Sequence, residues 1–270
     1  MYFNRIIFWC EFPKEVNWQK FNKILNFPIE IYIASNTKKE FLKWKSKIKN
    51  KNVKEIGVWP TLSLEQGYWF SSYLSKENIN KLKEFEKINM KIDLEPPLLT
   101  KSYNFFKLAR IYTKFILFKR SKNKTYLNQT INEISKSNKI ILSGFPFPKF
   151  LSSFYGDVHL DGKNIYRNFF IYSTLIPKPL RAISRLYFKY FIKKSLKKFT
   201  EEKTLFAVGC IGHGILGNEP KYNNINELDK DLKFLLKNKV KNVVIFDLAG
   251  TMNRDKPQEW LNTIKKYQNQ

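Results

Sequence analysis

Residues 242–250 read NVVIFDLAG: a short apolar run, a carboxylate at Asp247, then a small-residue turn into the next segment. A run of this length with β-branched and aromatic residues, closed by a turn, predicts a buried strand. The carboxylate then falls at the strand's C-terminal end. The same arrangement recurs upstream. RIIFWC (5–10) is followed by Glu11, KIDLEPP (91–97) carries Asp93 and Glu95, and GCIGHGILGNEP (209–220) carries Glu219. Strand candidates fall at 5–10, 29–34, 54–59, 90–95, 139–144, 168–173, 204–209 and 242–247. Between them lie stretches of helical period, among them FNKIL (21–25), KKEFLKWKSKIKN (38–50), KENINKLKEFEKIN (76–89), TYLNQTINEISKSN (125–138) and INELDKDLKFLLKN (225–238). A last helix is expected over 256–268, entered by Asp255 as N-cap with Pro257 in its first turn. Eight strand–helix units in succession predict a single (β/α)8 barrel of the TIM type over residues 1–270, with no linker and no second domain. In that fold the residues at strand C-termini line the active site, so the strand-end acids point to an enzyme.

Composition bounds the alternatives. The chain has 270 residues, 43% hydrophobic, with 24 Phe and 14 Tyr, enough for a substantial core. Cys10 and Cys210 are too few for a disulfide framework or a structural zinc site. They fall on the first and seventh strands, which the eighth separates, so reduced thiols are expected rather than a disulfide or a catalytic Cys. No apolar segment followed by a small-residue cleavage site opens the chain, and no run is long and apolar enough to span a bilayer. A cytoplasmic location is the expectation. The net charge is +26, yet only seven of the 49 basic residues are Arg, the residue suited to bidentate phosphate and base contacts. Abundant Lys, Asn, Ile, Phe and Tyr fit the bias of an AT-rich genome, which disfavours a nucleic-acid partner. An anionic partner of another kind would still be drawn to such a surface.

Two stretches, 101–120 and 179–199, are basic and amphipathic. In the second, Leu180, Ile183, Leu186, Tyr187, Tyr190 and Phe191 share a face ringed by Lys189, Lys193, Lys194, Lys197 and Lys198. Outer barrel helices need one apolar face, which accounts for both; binding at a membrane surface is the alternative. YGDVHLDGKNIYRN (155–168) reads as a hairpin with Asp161-Gly162 in a type I′ turn, an excursion after strand five. Asp157, His159 and Asp161 alternate there and would make half of a metal site or a solvated edge.

The sharpest local feature is KIDLEPP. Asp93 and Glu95 are two apart on a strand, so both side chains point the same way. Neighbouring carboxylates cannot both ionise freely, and one pKa rises, which keeps a general acid protonated near neutrality. The blander reading leaves Asp93 a buried hydrogen-bonding residue with Glu95 alone at work. In GCIGHGILGNEP, Gly209, Gly212, Gly214 and Gly217 follow strand seven, and Gly250 and Arg254 follow strand eight. Barrels that bind phosphorylated substrates place the phosphate at these two loops, which supports an isomerase, epimerase or aldolase acting on a phosphosugar. A metal-dependent sugar isomerase is the related alternative, with Glu95, His213, Glu219 and Asp247 around Mn²⁺, Mg²⁺ or Zn²⁺. A barrel without activity that binds an anionic partner is the non-enzyme reading.

The pattern also resembles a family. Glu11 on strand one, Asp93 and Glu95 on a middle strand and Asp247 on a later one are similar to the acids of the barrel-type muramidases, which are lysozyme-like glycoside hydrolases. FPKEVNWQKF (12–21), with Trp18, resembles that family's entry into its first helix, and residues 67–95 resemble its approach to the D-x-E strand. The likeness covers roughly the first 95 residues. It departs from the family in offering Glu rather than Asp on strand one, with no export signal or wall-binding repeat. The resemblance implies cleavage of a glycosidic bond with Glu95 as general acid. Asp93 would tune it or support a substrate-assisted step, and Glu11 and Asp247 would orient substrate or water. Trp59, Trp69 and Tyr172 would stack on sugar rings, His213, Gly214, Glu219 and Arg254 would complete the substrate site, and no cofactor is called for.

Overall fold

The computed structural model describes residues 1–98, 121–154 and 156–269. Eight parallel strands close on themselves in sequence order: β1 (Arg5–Cys10), β2 (Ile29–Ser35), β3 (Val53–Pro60), β4 (Met90–Asp93), β5 (Ile140–Gly144), β6 (Ile165–Phe170), β7 (Thr204–Gly209) and β8 (Asn242–Phe246). β8 returns to β1 with Arg5 opposite Asn242 and Trp9 opposite Phe246. The expected (β/α)8 barrel is therefore the fold. Around it lie α1 (Trp18–Ile24), α2 (Lys38–Lys45), α3 (Lys76–Asn80), α4 (Lys124–Ser135), α5 (Lys149–Phe154), α6 (Arg181–Phe199), α7 (Ile225–Lys237), α8 (Leu248–Met252) and α9 (Pro257–Lys265). Side chains of Asn17, Thr37, Ser75, Asn224 and Asp247 cap five of these helices by accepting from backbone N–H groups in the first turn. The basic amphipathic stretch 101–120 lies outside the described residues.

Strand alternation sorts the apolar residues into two layers. Ile6, Phe8, Ile31, Ile33, Ile92, Leu142, Phe206 and Val243 face outward and pack with Leu127, Ile131, Leu228, Leu232, Leu261 and Ile264 from the helices. Ile7, Trp9, Tyr32, Trp59, Ile141, Phe170, Leu205, Val244 and Phe246 fill the barrel. At the N-terminal end of the strands the filling turns ionic. Arg5 donates to both carboxylate oxygens of Glu30 at 2.7 Å, Lys139 reaches Glu55 at 2.5 Å, and the Tyr32 hydroxyl donates to Glu55 at 2.5 Å. The Tyr32 ring needs an empty position beside it. A Cβ on Gly57 would lie 2.4 Å from that ring and 2.9 Å from the Asn89 carbonyl.

Three expectations are corrected. Residues 157–162 form no hairpin arm but run directly into β6, which starts three residues earlier than expected. The cause is Arg167. In mid-strand and buried, it donates to Asp157 at 2.8 Å and to the Val158 carbonyl at 2.9 Å, so a side chain rather than a ladder holds this segment. That pairing also takes Asp157 from the supposed metal half-site, and His159 pairs with Ser152 and the Lys149 carbonyl instead. At the C-terminus α9 begins at Pro257 with Lys256, not Asp255, as N-cap.

Gly57→Ala is expected to lower unfolding free energy by about 1–3 kcal/mol through overpacking against Tyr32. Urea unfolding measures it, and an unchanged midpoint would show that the barrel interior yields.

Candidate active site at the barrel mouth

The C-terminal ends of the strands gather acids around one cation. Glu11 follows β1, Asp93 closes β4 with Glu95 two residues on, and Asp247 follows β8; all four are buried, Glu95 the most exposed at 9%. Lys91, two residues before Asp93 on the same side of β4, is buried within the barrel. Its ammonium lies 2.5 Å from Asp93 Oδ2, 3.1 Å from the centre of the Trp59 ring and 5.0 Å from that of Trp9. Asp93 Oδ1 is buried without a hydrogen-bond partner. Tyr68, on the loop after β3, donates its hydroxyl to Glu11 at 2.8 Å. Among the described residues Glu95 has no hydrogen-bond partner. Tyr68 also packs with Trp69 and Leu98, and with Leu64, Ile215 and Leu216, into an apolar cluster contributed by the loops after β3, β4 and β7.

Burial governs the protonation states. It drives the Glu11 carboxyl well above the usual range, opposed by the Tyr68 hydrogen bond and Lys91 and reinforced by Asp247 and Glu219. It drives Glu95 well above that range too, reinforced by the charges of Asp93 and Glu11 and opposed by Lys91. Asp93 is raised by burial while Lys91 pulls it down. Asp247 is pushed up to about 7 by burial, opposed by the amide of Gly250, which donates to Oδ1 at 2.8 Å. Its Oδ2 is buried without a partner. Burial lowers Lys91 to about 8, with Asp93 the principal group opposing the drop. Burial thus raises all four carboxyls, and Lys91, paired with Asp93, is a charge that opposes the rise at Glu11, Asp93 and Glu95.

The glycine-rich loop after β7 serves close packing. A Cβ on Gly250 would lie 2.2 Å from the Gly212 nitrogen, and one on Gly212 would lie 2.6 Å from Asp247 Oδ1. Gly212 and Gly250 touch, and beside that contact the loops after β7 and β8 together line the cavity at which a phosphate was expected. Glu219 accepts from the Gly214 and Leu216 amides, each at 3.0 Å, so both its oxygens serve the loop. A Cβ on Gly214 would come within 2.6 Å of Glu219 and 3.0 Å of Glu11, which places this backbone against the acids. Arg254 donates to the carbonyls of Ile211 and Tyr222 at 2.8 and 2.7 Å and lies over Trp260, fastening the loop from outside. His213 packs on Phe12, 5.2 Å between ring centres, and faces Glu15 at 3.7 Å. It borders a cavity of about 270 Å³ beside the mouth, together with Arg254 and Lys221. His213 and Glu219 are thus committed elsewhere, and the expected set of Glu95, His213, Glu219 and Asp247 is not assembled around a metal. Among the described residues no three His, Cys, Asp or Glu side chains are grouped to hold one.

Of the aromatic residues, Tyr172 stacks between Phe170 and Phe246 at 5.2 and 5.6 Å, at the level of the acids. Trp59 lies deeper, with its face under Lys91, and Trp69 belongs to the apolar cluster above. Cys10 faces the helices and Cys210 the interior; burial raises both thiols, so neither is a thiolate. Lys91 and Tyr68 were missed by the sequence reading. The signal for Lys91 was its place two before Asp93, on the same strand face.

No family model matches the chain, and no curated protein does. Solved structures of similar fold exist. The PgaB (BpsB) glycoside hydrolase domain from Bordetella bronchiseptica superposes with a TM-score of 0.60 at 9% identity, covering 97% of this chain and 99% of that one. The endocellulase from Pyrococcus horikoshii, solved with cellotetraose, gives 0.54 at 13% identity over 99% and 92%. Thermotoga maritima Cel5A, solved with cellobiose, gives 0.54 at 10% identity over 96% and 97%. At such identities the likeness shows the barrel fold, shared with glycoside hydrolases.

Proposed function

We propose that this barrel cleaves a glycosidic bond, with Glu95 as the general acid. The observation that carries the reading is the end of β4: Lys91, Asp93 and Glu95 alternate on one face, the first two paired and the third left to hold a proton. A general acid must be protonated at working pH and within reach of the leaving oxygen. Burial, reinforced by Asp93 and Glu11, pushes Glu95 well above the usual carboxylate range and so toward the first condition. Its position beyond the strand end, at the barrel mouth, suits the second. The solved barrels of similar fold support the class, since a glycoside hydrolase domain and two cellulases are among them.

In this mechanism Glu95 gives its proton to the leaving-group oxygen as the bond to the anomeric carbon breaks. Asp93, held by Lys91 through Oδ2, keeps Oδ1 available to accept a hydrogen bond from the sugar and to face positive charge developing on the ring. Glu11 and Asp247 flank the site from β1 and β8 and orient substrate or water. Tyr172, stacked between Phe170 and Phe246 at their level, would meet a sugar with its edge rather than a ring face. The muramidase-like pattern of acids on strand one, a middle strand and a late strand is the finer form of this reading. The excess of Lys over acid in the chain suits an anionic glycan.

Glu95→Gln is expected to lower kcat by about 10²–10⁴-fold with KM little changed. The assay is reducing-end release from cellotetraose, a chitooligosaccharide, peptidoglycan and a uronic-acid polymer. Wild-type protein inactive on every glycan, or a Gln variant as active as wild type, would remove the assignment. A second expectation concerns stability. Asp247 binds its proton more tightly folded than unfolded, so the stability it contributes is full below the ordinary carboxylate pKa and is lost as pH rises through about 7. Asp247→Asn keeps the cap to Gly250 and removes this titration. Between pH 4.5 and 8 its unfolding free energy should rise relative to wild type by about 3 kcal/mol. Parallel pH curves for the two proteins in urea unfolding would show that Asp247 does not titrate this way.

A further inference from the structure

α6 buries one face and, among the described residues, leaves most of the other without a packing partner. Phe188, Phe191, Ile192 and Ser195 pack inward. On the outward side Ile183, Leu186, Tyr187 and Tyr190, spaced i, i+3, i+4, i+7, are 67%, 71%, 39% and 61% exposed. Leu180, just before the helix, is 52% exposed, and Leu151 on α5 is 44% exposed. The Tyr187 hydroxyl donates to the Pro146 carbonyl, which ties the stripe to the chain leading into α5. The same stripe continues through positions 193, 194 and 197, and there every residue is an exposed Lys. From Gly162 to Thr200 the chain has no Asp or Glu. One helix face therefore changes along its length from apolar to purely basic, the lysines starting about 15 Å from Ile183 at helical rise.

The topology sets which end is which. α6 follows β6, so its N-terminal, apolar half lies at the mouth end of the barrel and its lysines lie toward the opposite end. Exposed apolar stripes of this extent on a helix mark contact surfaces. An anionic bilayer takes both halves at once: apolar side chains enter the acyl boundary, and the lysines, with flexible stems, lie against phosphates. A second copy of the chain would meet the same uncompensated row of lysines, because no acidic residue is interleaved.

We infer that the outward face of α6 docks this protein on an anionic lipid surface, with the barrel mouth turned toward the membrane. The inference stands independently of the glycosidase reading. The test is co-sedimentation of the full chain with phosphatidylcholine vesicles, with and without about one-third phosphatidylglycerol. Wild-type protein should bind the anionic vesicles at least ~tenfold more tightly than the neutral ones. Replacing the apolar residues together (Ile183→Ser, Leu186→Ser, Tyr190→Ser) should weaken that binding ~tenfold, and so should Lys193→Glu, Lys194→Glu, Lys197→Glu. The same charge reversal at Lys39, Lys43 and Lys47, exposed on and just after α2, should weaken it less than ~threefold. Unchanged thermal midpoints confirm that these exposed substitutions leave the fold intact. Binding unaffected by the apolar substitutions, or weakened equally by the α2 reversal, would overturn the inference and leave only diffuse charge attraction. A dimer that dissociates on the apolar substitutions while vesicle binding persists would overturn it in favour of self-association.

Discussion

A single buried ammonium organises the mouth of this barrel. Taking a charge out of water is costly unless it is paired and its remaining surface is met by polarisable groups. Lys91 meets both conditions, with Asp93 at 2.5 Å and the faces of Trp59 and Trp9 around it. Its pKa falls only to about 8, so it remains a cation at neutral pH. That positive charge is the principal influence opposing burial for Asp93 and one of those opposing it for Glu11 and Glu95. Without it burial would act on Asp93 with no paired cation to oppose it. Asp93 and Glu95 differ in which of them the lysine touches: its ammonium pairs with Asp93.

Burial at the mouth depends in turn on two close backbone approaches. Gly212 and Gly250 let the loops after β7 and β8 touch, and Gly214 lets the first of these loops lie against Glu11. Ile215 and Leu216 are thereby carried into contact with Tyr68, Trp69 and Leu98 above the acids. These close approaches bring the loops over the acids and exclude water from around them. Glu219 serves the same end by taking two loop amides, and Arg254 by holding two loop carbonyls from the outside.

The architecture was legible because each strand is short, apolar and ended by a turn or a charge, and eight such units in order have few other ways to bury their faces. Asp93, Glu95, Glu11 and Asp247 converge because all four share one topological position, the C-terminal strand end. What escaped the sequence was set by partners distant in the chain. Arg167 looks like a loop residue until Asp157 neutralises it, so the sequence pattern starts β6 three residues late and predicts a hairpin in its stead. Lys91 looks like a strand-edge lysine until two tryptophans from β1 and β3 enclose it. Trp59, read as a sugar platform, is that enclosure. Asp255 resembles a cap, but Pro257 is preorganised for the first helical position and moves the boundary one residue on.

The same topological rule that gathers the acids also places the apolar half of α6. In a (β/α)8 barrel every helix runs opposite to the strand before it, so a helix N-terminus and a strand C-terminus meet at one end. Strand ends there can be buried and acidic because the loops close over them. A helix face there is free to be apolar, because the barrel has already satisfied its inner face through Phe188, Phe191 and Ile192. Packing among the described residues explains one side of α6 and supplies no reason for Ile183, Leu186 and Tyr190 to remain apolar on the other. Nor does a general bias toward lysine account for the order along that face, since a compositional bias would intersperse Lys among the apolar positions rather than follow them. The sorted stripe is a property of position, which is why it carries an inference that the net charge of the chain does not.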